Sequence, residues 1–175
     1  MEPDESLPDP EIPQILYSAF AEGPFSMCVD CESKILDEAV PYAIEKVIRG
    51  GEVVFEYAMC ARCMAILMQK FSEESLANIT SYMQEQDFNL DSEGDGSSCH
   101  RCGAAEDQFQ EEYTITGMLA GHHLLMGPHV ICGSCLDGMD DILSQKTRDV
   151  HGEFVNDNFP GVPETLDFPV SVLGA

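Results

Sequence analysis

FEYAMCARCMAILMQKF, residues 55–71, is the stretch that decides the fold. Phe55, Tyr57 and Met59 alternate with Glu56 and Ala58, the two-residue period of a half-buried strand. Met64, Leu67, Met68 and Phe71 then fall at three- and four-residue spacing, one face of a helix. Cys60-Ala61-Arg62-Cys63 sits where the period changes. The reading is therefore strand, cysteine turn, helix. A second copy lies at residues 128–143, PHVICGSCLDGMDDIL, with Cys132 and Cys135 in the same place.

Working outward, each copy gains the same neighbours. Upstream of the first lie Cys28-Val29-Asp30-Cys31, then residues 42–49 and 52–59 around Gly50-Gly51. A Gly-Gly pair supplies the positive φ angles of a two-residue hairpin turn, so these residues read as a β-hairpin. Upstream of the second lie Cys99-His100-Arg101-Cys102, then a hairpin over 112–119 and 123–131 with Gly121 in its turn. There are 28 residues between Cys31 and Cys60 and 29 between Cys102 and Cys132, although little else matches residue by residue. The first helix has two readings. It runs to about residue 86, or Ser72-Glu73-Glu74-Ser75 caps a second segment carrying Leu76, Ile79 and Met83. In the second half one helix is expected, with Leu136, Met139, Leu143, Val150 and Phe154 on one face. Met59, Met64, Met68, Met83, Met118, Met126 and Met139 fall on the expected buried faces.

The expected organisation is an acidic, Pro-rich N-terminal arm over 1–24, with a short apolar patch at 14–20 lying on the core. A first zinc-binding half follows over 25–88, an acidic linker over 89–98, a second zinc-binding half over 97–154, and an extended C-terminal arm over 155–175. Asp87, Asn89, Asp91 and Asp95 are spaced like part of a calcium loop, but Ser92 and Ser98 stand where its glycine and glutamate belong, so a solvated linker is the better reading. In the last arm Phe159, Phe168, Val170, Val172 and Leu173 alternate with Pro160, Pro163 and Pro169. That pattern predicts an extended segment docked in an apolar groove, either between the halves or across a homodimer.

Composition narrows the function. The chain carries 32 acidic and 8 basic residues, a formal net charge of -24. Two four-thiolate zinc sites would bring this to roughly -28. Such a surface repels phosphate backbones and anionic lipid, which argues against nucleic-acid and membrane partners. It suits a protein partner, a basic one above all. No secretory signal and no membrane-length apolar run is visible, and all eight cysteines occur as C-x-x-C pairs. This spacing points to metal binding in a reducing, cytoplasmic setting rather than to a disulfide framework.

A C-x-x-C turn aims two sulfurs at one point, and two such turns supply the four ligands of a structural zinc site. The candidate ligands are Cys28, Cys31, Cys60 and Cys63 for one zinc, and Cys99, Cys102, Cys132 and Cys135 for another. The second turn of each set starts a helix, whose positive end favours thiolates. Arg62 and Arg101 lie inside two of the turns and can offset the charge. The order of knuckle, hairpin, C-x-x-C and helix resembles the treble-clef zinc-finger fold group, here twice in tandem, over about 25–88 and 97–154. The resemblance implies an α+β fold and two zinc ions. It leaves function open among interaction modules, nucleic-acid binders and some nucleases. The leading expectation is a non-enzymatic, zinc-stabilised interaction or adaptor protein. A hydrolase or nuclease-like enzyme is the first alternative, with His123, His151 and Asn156 of the second half loosely placed for it. A nucleic-acid binder is the second. The five histidines otherwise read as surface and turn residues.

Overall fold

Gly50 and Gly51 have φ of +60° and +82°, and between them the chain reverses from β1 (Pro41–Arg49) into β2 (Glu52–Cys60). Gly121, at φ +56°, does the same between β3 (Glu112–Ala120) and β4 (His123–Cys132). The computed structural model describes residues 12–37, 40–85, 96–109 and 111–161. Residues 1–11 of the N-terminal arm, residues 89–95 of the expected linker with the calcium-like spacing of Asp87, Asn89, Asp91 and Asp95, and residues 162–175 of the C-terminal arm, with Phe168, Val170, Val172 and Leu173, fall outside the described residues.

The two hairpins form one antiparallel sheet in the order β2-β1-β3-β4. Strand β1 pairs with β3 over its whole length, from Pro41 opposite Ala120 to Arg49 opposite Glu112. The repeat is thus joined at its centre by backbone hydrogen bonds. Arg49 and Glu112, opposite each other at one end of that seam, form an ion pair. The architecture is α+β, as expected.

Helix α1 (Ala61–Gln69) leaves β2 directly, and α2 (Glu73–Gln84) follows after a short turn. Of the two readings for this region, two helices is the one observed. In the second half, α3 (Gly133–Asp140) leaves β4 and α4 (Gln145–Asn158) follows. The expected single helix is therefore corrected to two. Leu136, Met139, Leu143 and Phe154 are all buried, but the period carries across a break. The break is stabilised by Ser144, whose side chain caps α4 by accepting from the Thr147 N–H. Helix α4 also continues to Asn158, past the point where the sequence pattern ends the second half.

Ser72 caps α2 in the same way, accepting from the Ser75 N–H. The two caps meet. Ser72 Oγ lies 2.7 Å from Ser144 Oγ. The Ser72 N–H donates to Thr147 Oγ1 at 3.0 Å, and the Ser144 N–H donates to Ser75 Oγ at 2.8 Å. In an ordinary capping box the residue three after the cap accepts from its own cap's N–H. Here each helix lends that residue to the other, so the two helix starts are locked together.

The helices cross between the halves. From α2, Tyr82 donates its hydroxyl to the Cys135 carbonyl at 2.9 Å, and Asn78 donates to the Ile142 carbonyl at 3.1 Å. From α4, Phe154 packs edge-on against Tyr57 of β2, with ring centroids 5.3 Å apart. Phe159, just beyond α4, lies 4.3 Å from the ring of Phe55.

The other face of the sheet is covered by residues 12–23. Leu16, in a turn of 3-10 helix at Gln14–Leu16, is fully buried and occupies the space a side chain at residue 117 would need. Burying a leucine this way contributes about 1.5–3 kcal/mol. This overturns the reading of β2 as half-buried, because residues 55–60 are buried without alternation. Glu56, expected to face water, instead accepts from Ser18 Oγ at 2.6 Å and from the Ala19 and Phe20 N–H groups. Lys46 donates to the carbonyls of Ile15 and Tyr17 and lies 3.9 Å from Glu56. Burial lowers the Lys46 pKa, and the Glu56 carboxylate works against that.

Candidate metal centres

Each end of the sheet carries one group of four cysteines. The sulfurs of Cys28, Cys31, Cys60 and Cys63 all lie within 4.8 Å of one another, and so do those of Cys99, Cys102, Cys132 and Cys135. Each group draws on one half of the chain. All eight cysteines are unbridged.

Local hydrogen bonds build both groups alike. A knuckle turn docks on the edge strand of its own hairpin: the Val29 N–H donates to the Ala58 carbonyl at 2.8 Å, and the His100 N–H to the Val130 carbonyl at 2.7 Å. Within the knuckle, the Glu32 N–H reaches the Cys28 carbonyl and the Gly103 N–H the Cys99 carbonyl. This turn needs a left-handed residue after its second cysteine, and Glu32 and Gly103 have φ of +59° and +76°. Glycine adopts that conformation without penalty. The first cysteine of each knuckle accepts an N–H from the end of the strand, Cys60 to Cys28 Sγ and Cys132 to Cys99 Sγ, both at 3.3 Å. Cys63 and Cys135 then enter on the first turns of α1 and α3.

A tetrahedral zinc with Zn–S bonds of about 2.3 Å has sulfur–sulfur edges of about 3.8 Å. The observed Cys31–Cys60 separation is 3.8 Å, Cys99–Cys135 is 3.9 Å and Cys102–Cys132 is 3.7 Å. The donor set and the spacing thus fit a tetrahedral thiophilic cation, and both groups could hold one.

Burial alone makes these clusters poor places for thiolates. It raises the pKa of Cys28, Cys63, Cys132 and Cys135, most strongly at Cys63 and Cys135, where for Cys135 the Arg101 hydrogen bond works the other way. At Cys99 burial is outweighed by the N–H groups of Cys102, Cys132 and Arg101, and its pKa falls. Cys31 is lowered to about 6 by the Ser33 hydroxyl and N–H, with Ser33 Oγ 3.1 Å from its sulfur. A bound dication would reverse the cost of ionising the buried thiols and expel their protons.

The two centres differ in their cationic neighbours. Arg101 stacks over the Tyr82 ring at 3.5 Å, donates to the Tyr82 carbonyl at 3.1 Å, and places Nη1 3.8 Å from Cys135 Sγ. It offsets the charge of the second cluster, as the sequence suggests. Asp30 holds the corresponding position in the first knuckle. Arg62 is exposed and makes no ion pair among the described residues.

Two of the five histidines, His129 and His151, are not where a surface reading puts them. His129 is buried and stacks on His100 with ring centroids 3.9 Å apart. His151 is buried beside Tyr57 and Glu45, and burial lowers its pKa to about 4. Glu45 accepts from the Tyr57 hydroxyl at 2.7 Å. Sequence reasoning passed over this polar row, Tyr57, Glu45, Thr116 and His129, which crosses all four strands in register. Its signal was a polar residue at the centre of each strand pattern. His122 and His123 are exposed at the hairpin end. Among the described residues, the two cysteine clusters are the groups of metal-ligating side chains, and His123 and His151 belong to neither. No helix there is long and apolar enough to cross a membrane. Comparison with protein-family models, curated proteins and solved structures yields no match.

Proposed function

We propose that the protein binds two zinc ions in two structural sites, Cys28, Cys31, Cys60 and Cys63 in one and Cys99, Cys102, Cys132 and Cys135 in the other. The observation that carries this is the pair of four-sulfur groups with edges of 3.7–3.9 Å, the spacing of a tetrahedral zinc thiolate. Each site has four protein ligands and so leaves no position for a substrate, which favours a structural role. Each half is then a treble-clef-like unit of knuckle, hairpin and helix, in a reducing, cytoplasmic setting that keeps the thiols unbridged.

The frame so pinned serves as a non-enzymatic interaction or adaptor protein whose partner is another protein, basic in character. The net charge of -24 supports this choice over nucleic acid or membrane. For the hydrolase reading, His123 and His151 join no group of metal-ligating side chains among the described residues, and for the nucleic-acid reading the net charge is unfavourable. Native mass spectrometry with elemental analysis tests the sites: two zinc ions per chain are expected, and one, or none, would sink the reading. Anisotropy titrations with a labelled oligolysine peptide and with duplex DNA test the partner class. Salt-sensitive binding of the peptide alone is expected, and micromolar binding of DNA would reverse the choice. A homodimer through the arm at 155–175 is tested by sedimentation of a chain ending at Asn158; a dimer predicts that the truncated chain sediments as a monomer.

A further inference from the structure

The first cluster is open on one side. A cavity of about 270 Å³ reaches Cys31, Cys60 and Cys63, and its wall carries Ser33, Lys34 and Arg62. Lys34 and Arg62 are two of only eight basic residues in the chain, and neither forms an ion pair among the described residues. No described carboxylate lines the cavity, in a chain with 32 of them. The second cluster is built differently. Arg101 hydrogen-bonds Cys135 Sγ and is itself clamped on Tyr82, which withdraws charge from the sulfurs. Cys31 and Cys102 are both exposed, so exposure alone does not separate the clusters.

We infer that the first cluster is the reactive one: small alkylating electrophiles enter this cavity and are taken up on Cys31 Sγ, anionic reagents in preference to neutral ones, with loss of that cluster's metal. The inference rests on the metal-site reading above. The step is a displacement. A sulfur lone pair forms the new S–C bond as the bond from carbon to the leaving group breaks, and the leaving group departs with its electron pair. A metal-bound thiolate has no proton to lose. At the sulfur the product is an uncharged thioether, a weaker donor than the thiolate it replaces, so a metal ion left with the three remaining thiolates would be lost. Lys34 and Arg62 raise the local concentration of an anionic reagent against the repulsion of the whole chain.

The test uses the full metal-loaded chain with its metal content measured first. Iodoacetate and iodoacetamide are added separately at less than one equivalent, adducts are located by peptide mapping, and released metal is read with a chromogenic chelator. The expected result is a first adduct predominantly on Cys31, one metal released per adduct, and a second cluster that keeps its metal. The double variant Lys34→Ala/Arg62→Ala should slow iodoacetate at least threefold and change the iodoacetamide rate less than twofold. A first adduct on Cys102, or adducts spread evenly over both clusters, overturns the inference, and wild-type mapping alone can show it. Equal slowing of both reagents overturns the anion preference. Fewer than two metals before treatment instead indicts the metal-site reading; metal release then falls with it, and the adduct map still decides which cysteine reacts first.

Discussion

Glu32 and Gly103 occupy the same knuckle position at different cost. Both are left-handed, at φ +59° and +76°. A side chain there costs on the order of 1–2 kcal/mol, partly offset because glycine gives up more entropy on folding. Glu32→Gly should therefore stabilise the protein by about 0.5–1 kcal/mol in urea unfolding, while Gly103→Ala should destabilise it by a similar amount. Opposite signs are the test, and two changes of the same sign would show that the knuckles are not equivalent. His151 gives a pH-dependent case. Its pKa falls from 6.5 to about 4 on folding, through burial. The unfolded chain thus takes up a proton below its ordinary pKa that the folded chain refuses. The resulting stability is complete above pH 6.5 and is lost as pH falls toward 4. It is worth up to about 3 kcal/mol. The variant His151→Leu should show a flatter decline in urea midpoint between pH 6.5 and 5 than the wild type; parallel curves would show that His151 does not titrate with unfolding. Residue types legible in the sequence included all eight cysteines, because C-x-x-C spacing is a local constraint. The burial of Glu56, His129 and His151 was not legible, because it depends on segments that arrive from elsewhere in the chain.

The hairpins were legible as elements because their signals are short-range: a two-residue period and glycine where φ must be positive. The break between α3 and α4 was not. Leu143, Val150 and Phe154 continue the spacing of Leu136 and Met139, and Ser144 looks like one polar residue on an exposed face. What decides the matter is that Ser144 finds Ser75 and Ser72 of another helix. This exchange makes a sharp energetic prediction. Thr147→Val deprives the Ser72 N–H of its acceptor, and Ser75→Ala does the same to the Ser144 N–H. Each should cost about 1–3 kcal/mol, since the hydroxyls are buried and a buried donor is left unsatisfied. The two sites share one network through Ser72 Oγ and Ser144 Oγ. The double variant should therefore lose less than the sum, with a coupling of at least about 0.5 kcal/mol in a double-mutant cycle. Additive losses would mean two ordinary caps that merely stand near each other.

At the scale of the whole molecule, the repeat is visible in sequence but its assembly is not. A period-2 pattern states which residues share a face, not which strand lies alongside, so nothing local announces that β1 pairs with β3. The described structure makes the halves interdependent in three ways. They share a sheet through β1 and β3, they exchange cap residues, and each sends its second helix onto the other. Two four-cysteine groups in one continuous frame should behave differently from two beads on a string. If the halves were independent, Cys63→Ser would melt the first half and leave the second untouched. With a continuous sheet, loss of the first centre frees α1 and the end of β2, and α4 loses the surface on which Phe154 and Phe159 rest. The damage crosses the seam. The expectation is that Cys63→Ser and Cys135→Ser each retain one metal ion per chain and each unfold in a single transition, well below the wild type. Hydrogen exchange should show the amides of β1 and β3 losing protection together in both variants, because those strands supply one another's partners. A melting curve with two steps, or protection lost only in the mutated half, would show that the centres stabilise separate units and that the shared sheet is a weak junction.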